Sequence, residues 1–287
     1  MSDLFVKSLH LVPDSRELQF ILGQKRTCYS GVYPFKIFPE KGLSRLDFAP
    51  ITIFYGGNGS GKTTLLNILA ETLHLPRHSA FNGSAFFGDY VSMCRAEHSG
   101  IPLNSQILTS DDVSDYLLNL RTLNEGINRR REELLEEYTR LKWDDRPFAS
   151  LADYDRWKAV TDAKSTTSSK FVKARVTRDA QLCSNGETAM KYYTERITEN
   201  ALYLIDEPEN SLSAAYQVEL AGFLADSARF FGCQLVIATH SPFLLAIPGA
   251  VIYDLDSDPV QVRPWTELEN VRVYHAFFEK HHKAFLP

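Results

Sequence analysis

Cysteine, methionine and tryptophan are scarce in this chain of 287 residues, and it has no long apolar run. No stretch approaches the roughly 20 apolar residues of a membrane-spanning helix, which argues against a helical membrane protein. The start, Met1-Ser2-Asp3-Leu4-Phe5-Val6-Lys7, lacks the basic and then apolar pattern of a signal peptide, so a cytoplasmic location is expected. The four cysteines, Cys28, Cys94, Cys183 and Cys233, show no C-x-x-C spacing and read as reduced thiols, not as a zinc site or a disulfide frame. His275, His281 and His282 have no acidic or cysteine ligands at a recognisable spacing and read as surface residues. Basic excess is also lacking. A net charge of −5 and a pI near 5.9 remove any global nucleic-acid footprint. Arg129-Arg130-Arg131 is followed by Glu132 and Glu133, the pattern of a solvated mixed-charge helix. Lys170, Lys173, Arg175 and Arg178 have fewer acids among them and leave a nucleic-acid backbone or a cross-dimer contact open. Repeats and low-complexity tracts are absent. With 44% hydrophobic residues the chain can bury a full core, in one or two domains.

What is present begins with Gly56-Gly57-Asn58-Gly59-Ser60-Gly61-Lys62-Thr63. It fits the phosphate-loop pattern G-x-x-x-x-G-K-[ST], between the apolar strand Ile51-Thr52-Ile53-Phe54-Tyr55 and the helix-forming run Thr64 to Ala70. Glycines let the backbone turn its N–H groups onto phosphate oxygens, and the helix N-terminus adds positive potential there. Lys62 supplies a cation for β- and γ-phosphates, and the Thr63 hydroxyl suits Mg²⁺. Downstream, Ala201-Leu202-Tyr203-Leu204-Ile205 reads as a buried central strand ending in Asp206-Glu207-Pro208. An Asp at that strand end suits a metal opposite Thr63, and Glu207 is placed to act on an attacking water. A third strand, Gln234 to Thr239, ends in His240, a candidate γ-phosphate contact. Between them, Ser184-Asn185-Gly186-Glu187 is a capping box before a helix over Thr188 to Ile197. The same helix start is an anion site able to receive a phosphate from another subunit.

The remaining segments give coarser expectations. Residues 1–50 carry strand-like pieces, Leu18 to Leu22 and Lys36 to Phe38, which suggest an antiparallel sheet beside the nucleotide. Tyr33, Phe35 and Phe38 are adenine-stacking candidates, with core packing the favoured account. Asp112 to Leu141 shows helical spacing at Leu120, Leu123, Ile127, Leu134, Tyr138 and Leu141. Trp143 to Ser169 reads as irregular or mobile, and Trp265 to Phe285 as a closing amphipathic helix with Val271, Tyr274, Phe277 and Phe278 on its apolar face.

Phosphate loop, Ser-x-Gly-Glu, Asp-Glu-Pro and a strand-terminal histidine, in that order, resemble the ATP-binding-cassette (ABC) type of ATPase. The resemblance is to its non-transporter branch of SMC, RecF-like and OLD-family proteins and predicted bacterial AAA-type ATPases. Glu207-Pro208-Glu209-Asn210-Ser211-Leu212-Ser213 is close to the Glu-Pro-Glu-x-x-Leu-x-Pro run of the OLD-like members, with Ser213 for the final proline. The resemblance covers roughly 20–260. It implies an α/β P-loop fold with a central, mostly parallel sheet and a flanking antiparallel β region. The whole of 1–287 would be a single ATPase domain, with a short helical insert over about 105–182 between Walker A and the signature.

By the same resemblance, Gly56 to Thr64 bind ATP and Mg²⁺, and Asp206, the Walker B aspartate, organises the metal. Glu207 acts on the water and His240 senses the γ-phosphate. Ser184, Gly186 and Glu187 belong to the signature that meets the nucleotide of the opposite subunit, and Asn210 to Ser213 run across the interface. Two signature positions depart from the family, Cys183 for Leu and Asn185 for Gly. The family's Gln has no obvious counterpart; Ser110 or Asp111, after the strand Gln106 to Thr109, are candidates near Mg²⁺, against a sufficient account of Ser110 as a helix N-cap. The long-armed relatives' zinc hook is not expected, nor the nuclease domain that OLD proteins carry after their ATPase.

The expected function is therefore Mg-dependent ATP hydrolysis by an ATP-sandwiched homodimer that switches a partner protein or nucleic acid. The alternatives are a nucleotide-gated module with very slow turnover, in DNA maintenance or phage defence, and a P-loop kinase or GTPase, for which no acceptor pocket or base-reading motif is found. A transporter role ranks below these.

Overall fold

The computed structural model describes residues 4–26, 28–29, 31–176 and 184–285. The chain forms two compact units, Met1–Ser114 with Asn185–Pro287, and Asp115–Ser184. Among the described residues the first contains nine strands: β1 Val6–His10, β2 Arg45–Asp47, β3 Ile51–Tyr55, β4 Arg95–His98, β5 Gln106–Thr109, β6 Leu202–Asp206, β7 Gln234–Ala238, β8 Val251–Asp254 and β9 Gln261–Val262. The helices, in chain order, are α1 Asp14–Leu22, α2 Lys62–Thr72, α3 Phe87–Met93, α4 Ser110–Lys142, α5 Tyr154–Ser165, α6 Ser168–Lys173, α7 Asn185–Arg196, α8 Ala214–Phe230, α9 Pro242–Leu245 and α10 Glu269–Lys280.

Six strands form the central sheet in the order β5-β6-β7-β3-β8-β9, parallel except for β9. Every residue of β3, β6 and β7 is buried, which explains why these strands read as continuous apolar runs with no alternation. A second, antiparallel sheet has the order β2-β1-β4. The buried Gln234 side chain joins the two sheets, accepting from Val6 N at 2.9 Å and donating to Val6 O at 2.8 Å. A lost partner here would leave backbone groups unpaired in the interior.

The expected α/β architecture with an antiparallel sheet is therefore present, but two of the strand-like pieces read in the first 50 residues are not strands. Leu18 to Leu22 lie in α1, which starts after Pro13 and carries Asp14 and Glu17 in its first turn. Lys36 to Phe38 are turn residues. The antiparallel strands are instead built from Val6–His10, Arg45–Asp47 and Arg95–His98. Phe35 and Phe38 are buried core residues, as core packing required.

Within Asp115–Ser184, the second half of the expected seam is a small core. Leu134 and Tyr138 of α4 pack with Ala163 of α5 and with Phe171 and Val172 of α6, and Leu141 adds to the cluster. Leu123, in the first half, is exposed. The Arg175 guanidinium lies 3.7 Å from the Phe171 ring centroid and pairs with Asp162 at 2.5 Å. Trp143 to Ser169 is not simply irregular. Ser150 and Asp153 form a reciprocal capping box that begins a helical turn leading into α5, and Thr167 caps α6. The Ser/Thr run marks the break between two helices, not a loop of its own length. Arg130 pairs with Glu133 at 2.9 Å on an exposed face, the mixed-charge helix expected of that cluster. Arg178 lies outside the described residues.

The closing helix α10 is shorter than read, and of its four apolar candidates only Val271 is buried; Tyr274, Phe277 and Phe278 are exposed. Among the described residues no helix is long and apolar enough to cross a membrane.

Candidate active site

The parallel strands place their carboxyl ends side by side, so Tyr55, Asp206 and Ala238 end three neighbouring strands. The phosphate loop leaves β3 through Gly56, φ 158°, and enters α2 through Gly61, φ 104°. A Cβ on Gly56 would lie 2.5 Å from Ser60 Oγ, and one on Gly61 would lie 3.3 Å from the Phe38 ring, so both positions require glycine. Lys62 is buried, and its ammonium donates to Gly56 O at 2.7 Å and Gly57 O at 3.0 Å. It also lies 3.5 Å from Glu207 Oε1.

Thr63 Oγ1 donates to Asp206 Oδ1 at 3.1 Å, joining the loop to the end of β6. Burial raises the Asp206 carboxyl from its ordinary 3.8 to about 7; the Thr63 hydrogen bond opposes this and the neighbouring Glu207 charge adds to it. Glu207 takes a left-handed conformation, φ 45°. Its amide donates to Ala238 O at 2.9 Å, and Asn210 Nδ2 donates to its Oε2 at 3.0 Å. A non-glycine residue there costs about 1–3 kcal/mol, which these contacts must offset to hold it. Asn58 to Thr64, Tyr33, Ile37 and Glu207 together line a cavity of about 280 Å³.

Several residues that the sequence did not single out hold this loop. Lys41 Nζ donates to Ser60 O at 2.8 Å and Leu255 O at 2.6 Å, and the Asp256 carboxylate accepts from Gly57 N at 2.8 Å. Each contact spans nineteen or more positions in sequence, so no local pattern could have revealed it. Tyr33 is half-buried at the cavity, and its hydroxyl meets Thr64 Oγ1 at 2.9 Å.

His240 follows β7 as expected, but its ring does not line the phosphate-loop cavity. It lines a separate cavity of about 950 Å³ with Phe243, Trp265, Tyr274 and Phe278. Its Nδ1 lies 3.2 Å from Glu209 Oε1, and Asn270 Nδ2 donates to its carbonyl at 2.7 Å.

Ser184 and Glu187 are exposed at the start of α7, and Gly186 is half-buried. A Cβ on Gly186 would stand 2.7 Å from the Tyr216 ring, so the glycine is needed for helix packing as well as for any anion. Cys183 lies outside the described residues. Ser213 caps α8, accepting from Tyr216 N at 3.5 Å. The Ser110 cap reading is corrected: Thr109 occupies that place, its hydroxyl accepting from Asp112 N at 3.2 Å while Asp112 Oδ2 accepts from Thr109 N at 2.8 Å. Ser110 follows a strand whose last residue pairs with Asp206, and Asp111 is exposed.

Residues 180–246, which carry the acidic strand end and His240, match the family model described as "AAA domain, putative AbiEii toxin, Type IV TA system". Comparison with curated proteins finds no match. Among solved structures, the chain is similar to an SMC head domain from Thermotoga maritima, at 14% identity and a TM-score of 0.41, over 91% of this chain and 99% of that one. It is also similar to an Smc head domain from Pyrococcus furiosus, with an extended coiled coil and bound to the C-terminal domain of ScpA. That likeness has 13% identity and a TM-score of 0.42, over 96% and 99% of the two chains. The chain has an α/β fold with a phosphate loop at the end of a central parallel strand, and the matched family model spans its acidic strand end and His240. The sheet brings Lys62, Thr63, Asp206 and Glu207 into one constellation, and leaves His240 one strand end away with its Nδ1 near Glu209.

Proposed function

We propose that the chain is a Mg²⁺-dependent ATPase in which two copies clamp two nucleotides, and that hydrolysis opens the clamp to switch a partner. The observation that carries this reading is the constellation around Lys62: a buried ammonium, a hydroxyl bonded to a desolvated carboxylate, and Glu207 lining the cavity over the phosphate loop. Gly56 to Thr64 cradle the phosphates through backbone N–H groups. Lys62 leaves the loop carbonyls for the β- and γ-phosphates. Thr63 and Asp206 are the residues that fit Mg²⁺: both are hard oxygen donors, already within hydrogen-bond distance of each other. When bound, the ion neutralises charge developing on the phosphoryl oxygens. Glu207 orients the attacking water.

In the same reading Ser184, Gly186 and Glu187 face the nucleotide of the second copy, and the exposure of Ser184, Glu187 and Asn210 is what such a role needs. The residues form a single ATPase domain in which the helical unit is an insert offering a partner surface. A family description that names a toxin–antitoxin system fits a switch whose output is delivered by a separate chain.

The decisive test is the solution mass of the Glu207→Gln protein with and without Mg-ATP, by light scattering after gel filtration. A mass that doubles on ATP supports the sandwich. A mass unchanged by ATP, with binding verified, removes it. A second expectation concerns the loop's anchor. Lys41→Met should leave the fold intact and weaken ATP binding about tenfold, which is about 1.4 kcal/mol and within the range for a charged hydrogen bond. Titration calorimetry reads this directly, and unchanged affinity would show that the loop holds its shape without Lys41.

A further inference from the structure

We infer that Asp256 is a positioning residue for nucleotide binding: its carboxylate keeps the entrance of the phosphate loop in shape when Lys62 turns to the phosphates. The inference rests on the ATPase reading above. The peptide between Gly56 and Gly57 is gripped at both ends. Its carbonyl, Gly56 O, accepts from Lys62 Nζ at 2.7 Å, and its N–H, on Gly57, donates to Asp256 Oδ2 at 2.8 Å. In the ATPase reading Lys62 leaves for the β- and γ-phosphates, and the grip on the carbonyl goes with it. Asp256 then holds the peptide alone. A peptide with glycine on both sides rotates at little steric cost, so its orientation depends on what holds it.

Stability is a poor account of this bond. Gly57 and Asp256 are both exposed, so water would serve either group if they parted. What the bond fixes is a direction. The turn that presents Asp256 is itself braced. Leu255 N donates to Tyr55 O at 2.9 Å, the Asp256 amide donates to the buried Asp254 carboxylate at 3.1 Å, and Ser257 Oγ donates to Asp254 O at 2.7 Å. Arg263 lies 3.5 Å from the other Asp254 oxygen. Val260 N donates to Lys41 O at 3.0 Å, and Lys41 Nζ reaches back to Leu255 O and Ser60 O. The turn and Lys41 therefore meet the loop at two places, Gly57 and Ser60. A loop ordered before its ligand arrives loses less entropy on binding. A carboxylate close to an anion site also repels the anion. A geometric role and a competing one therefore predict opposite effects of removing the side chain.

The test uses the full chain and has two arms. In the nucleotide-free protein, amide hydrogen exchange by ¹⁵N NMR, with the Gly57 signal assigned by its loss in Gly57→Ala, should show Gly57 protected. In Asp256→Ala its exchange should quicken about tenfold, and in Asp256→Asn, which keeps an acceptor oxygen, it should not. In the second arm, Asp256→Ala should raise both the Kd and the KM for Mg-ATP about 5- to 10-fold, with kcat and melting temperature unchanged. Asp256→Asn should bind at least as tightly as wild type to within about twofold, because it keeps the hydrogen bond and loses only the repelling charge.

An unprotected Gly57 amide in the wild type overturns the inference. So does tighter ATP binding in both variants, which would make Asp256 a competitor of phosphate for the loop. A merely structural Asp256 would lower the melting temperature and kcat together, and that result overturns it as well. A wild type that binds no Mg-ATP removes the ATPase reading and this role with it, whereas a wild type that binds ATP no better than Asp256→Ala removes the role of Asp256 alone.

Discussion

Glu207→Gln is expected to hydrolyse ATP 10²–10⁴-fold more slowly than the wild-type chain, about the contribution of a positioned general base, and to bind Mg-ATP with nearly unchanged affinity. The substitution is nearly isosteric, so Asn210 keeps an oxygen to donate to and the Glu207 amide keeps Ala238 O. Only the negative charge facing Lys62, 3.5 Å away, is removed. Losing that charge frees the ammonium for phosphate, which offsets any loss in binding. A phosphate-release assay beside equilibrium binding separates the two effects. Equal loss of binding and turnover would mean that Glu207 serves only to hold the loop. Turnover close to wild type would move the base to another residue and remove the reason for reading Asp206-Glu207 as a catalytic pair.

The parts of this site that the sequence revealed are those whose chemistry is local. The phosphate loop announces itself because glycine at Gly56 and Gly61 answers two steric demands and sits between a buried strand and a helix start. Asp206 was legible because a strand buried on both faces reads as an apolar run, and a polar residue that closes it must lie at the sheet's carboxyl edge. Lys41 and Asp256 were not legible, because each reaches the loop across tertiary structure. Glu209 stood inside a quoted motif, but its partners Thr239 and His240 lie thirty residues on, and only the pairing of β6 with β7 brings them together.

The errors have the same origin. Leu18 to Leu22 have the composition of a strand, but the Pro13 and acidic first turn upstream decide for helix. The aromatic side of α10 looked like core because periodicity cannot say which face of a helix is covered; Tyr274, Phe277 and Phe278 are exposed in this chain. Trp143 to Ser169 looked irregular because its Ser and Thr residues serve as caps for helices too short to show a period.

In the absence of nucleotide and metal, Asp206→Asn is expected to stabilise the protein at pH 8 and not at pH 4. The folded chain holds the Asp206 proton with a value near 7, against an ordinary 3.8, because the carboxyl is buried. The folded state therefore binds this proton more tightly than the unfolded chain does. Between about pH 4 and 7, rising pH removes stability through this group. The loss is complete above pH 7 and amounts to about 4 kcal/mol at most. Asparagine carries no charge to desolvate and can still accept from Thr63, so the variant should lack this fall and melt several degrees above wild type at pH 8.

Mg²⁺ should act on the wild type and not on the variant. A divalent cation beside Asp206 compensates the buried charge, so millimolar Mg²⁺ at pH 8 should raise the melting temperature of the wild type and leave Asp206→Asn unmoved. Thermal melts at three pH values, with and without Mg²⁺, check all of this without any assay of turnover. If both proteins lose stability equally as pH rises, burial exacts no charge penalty at Asp206. The carboxylate would then have no physical need for a cation, and the metal would have to be held elsewhere.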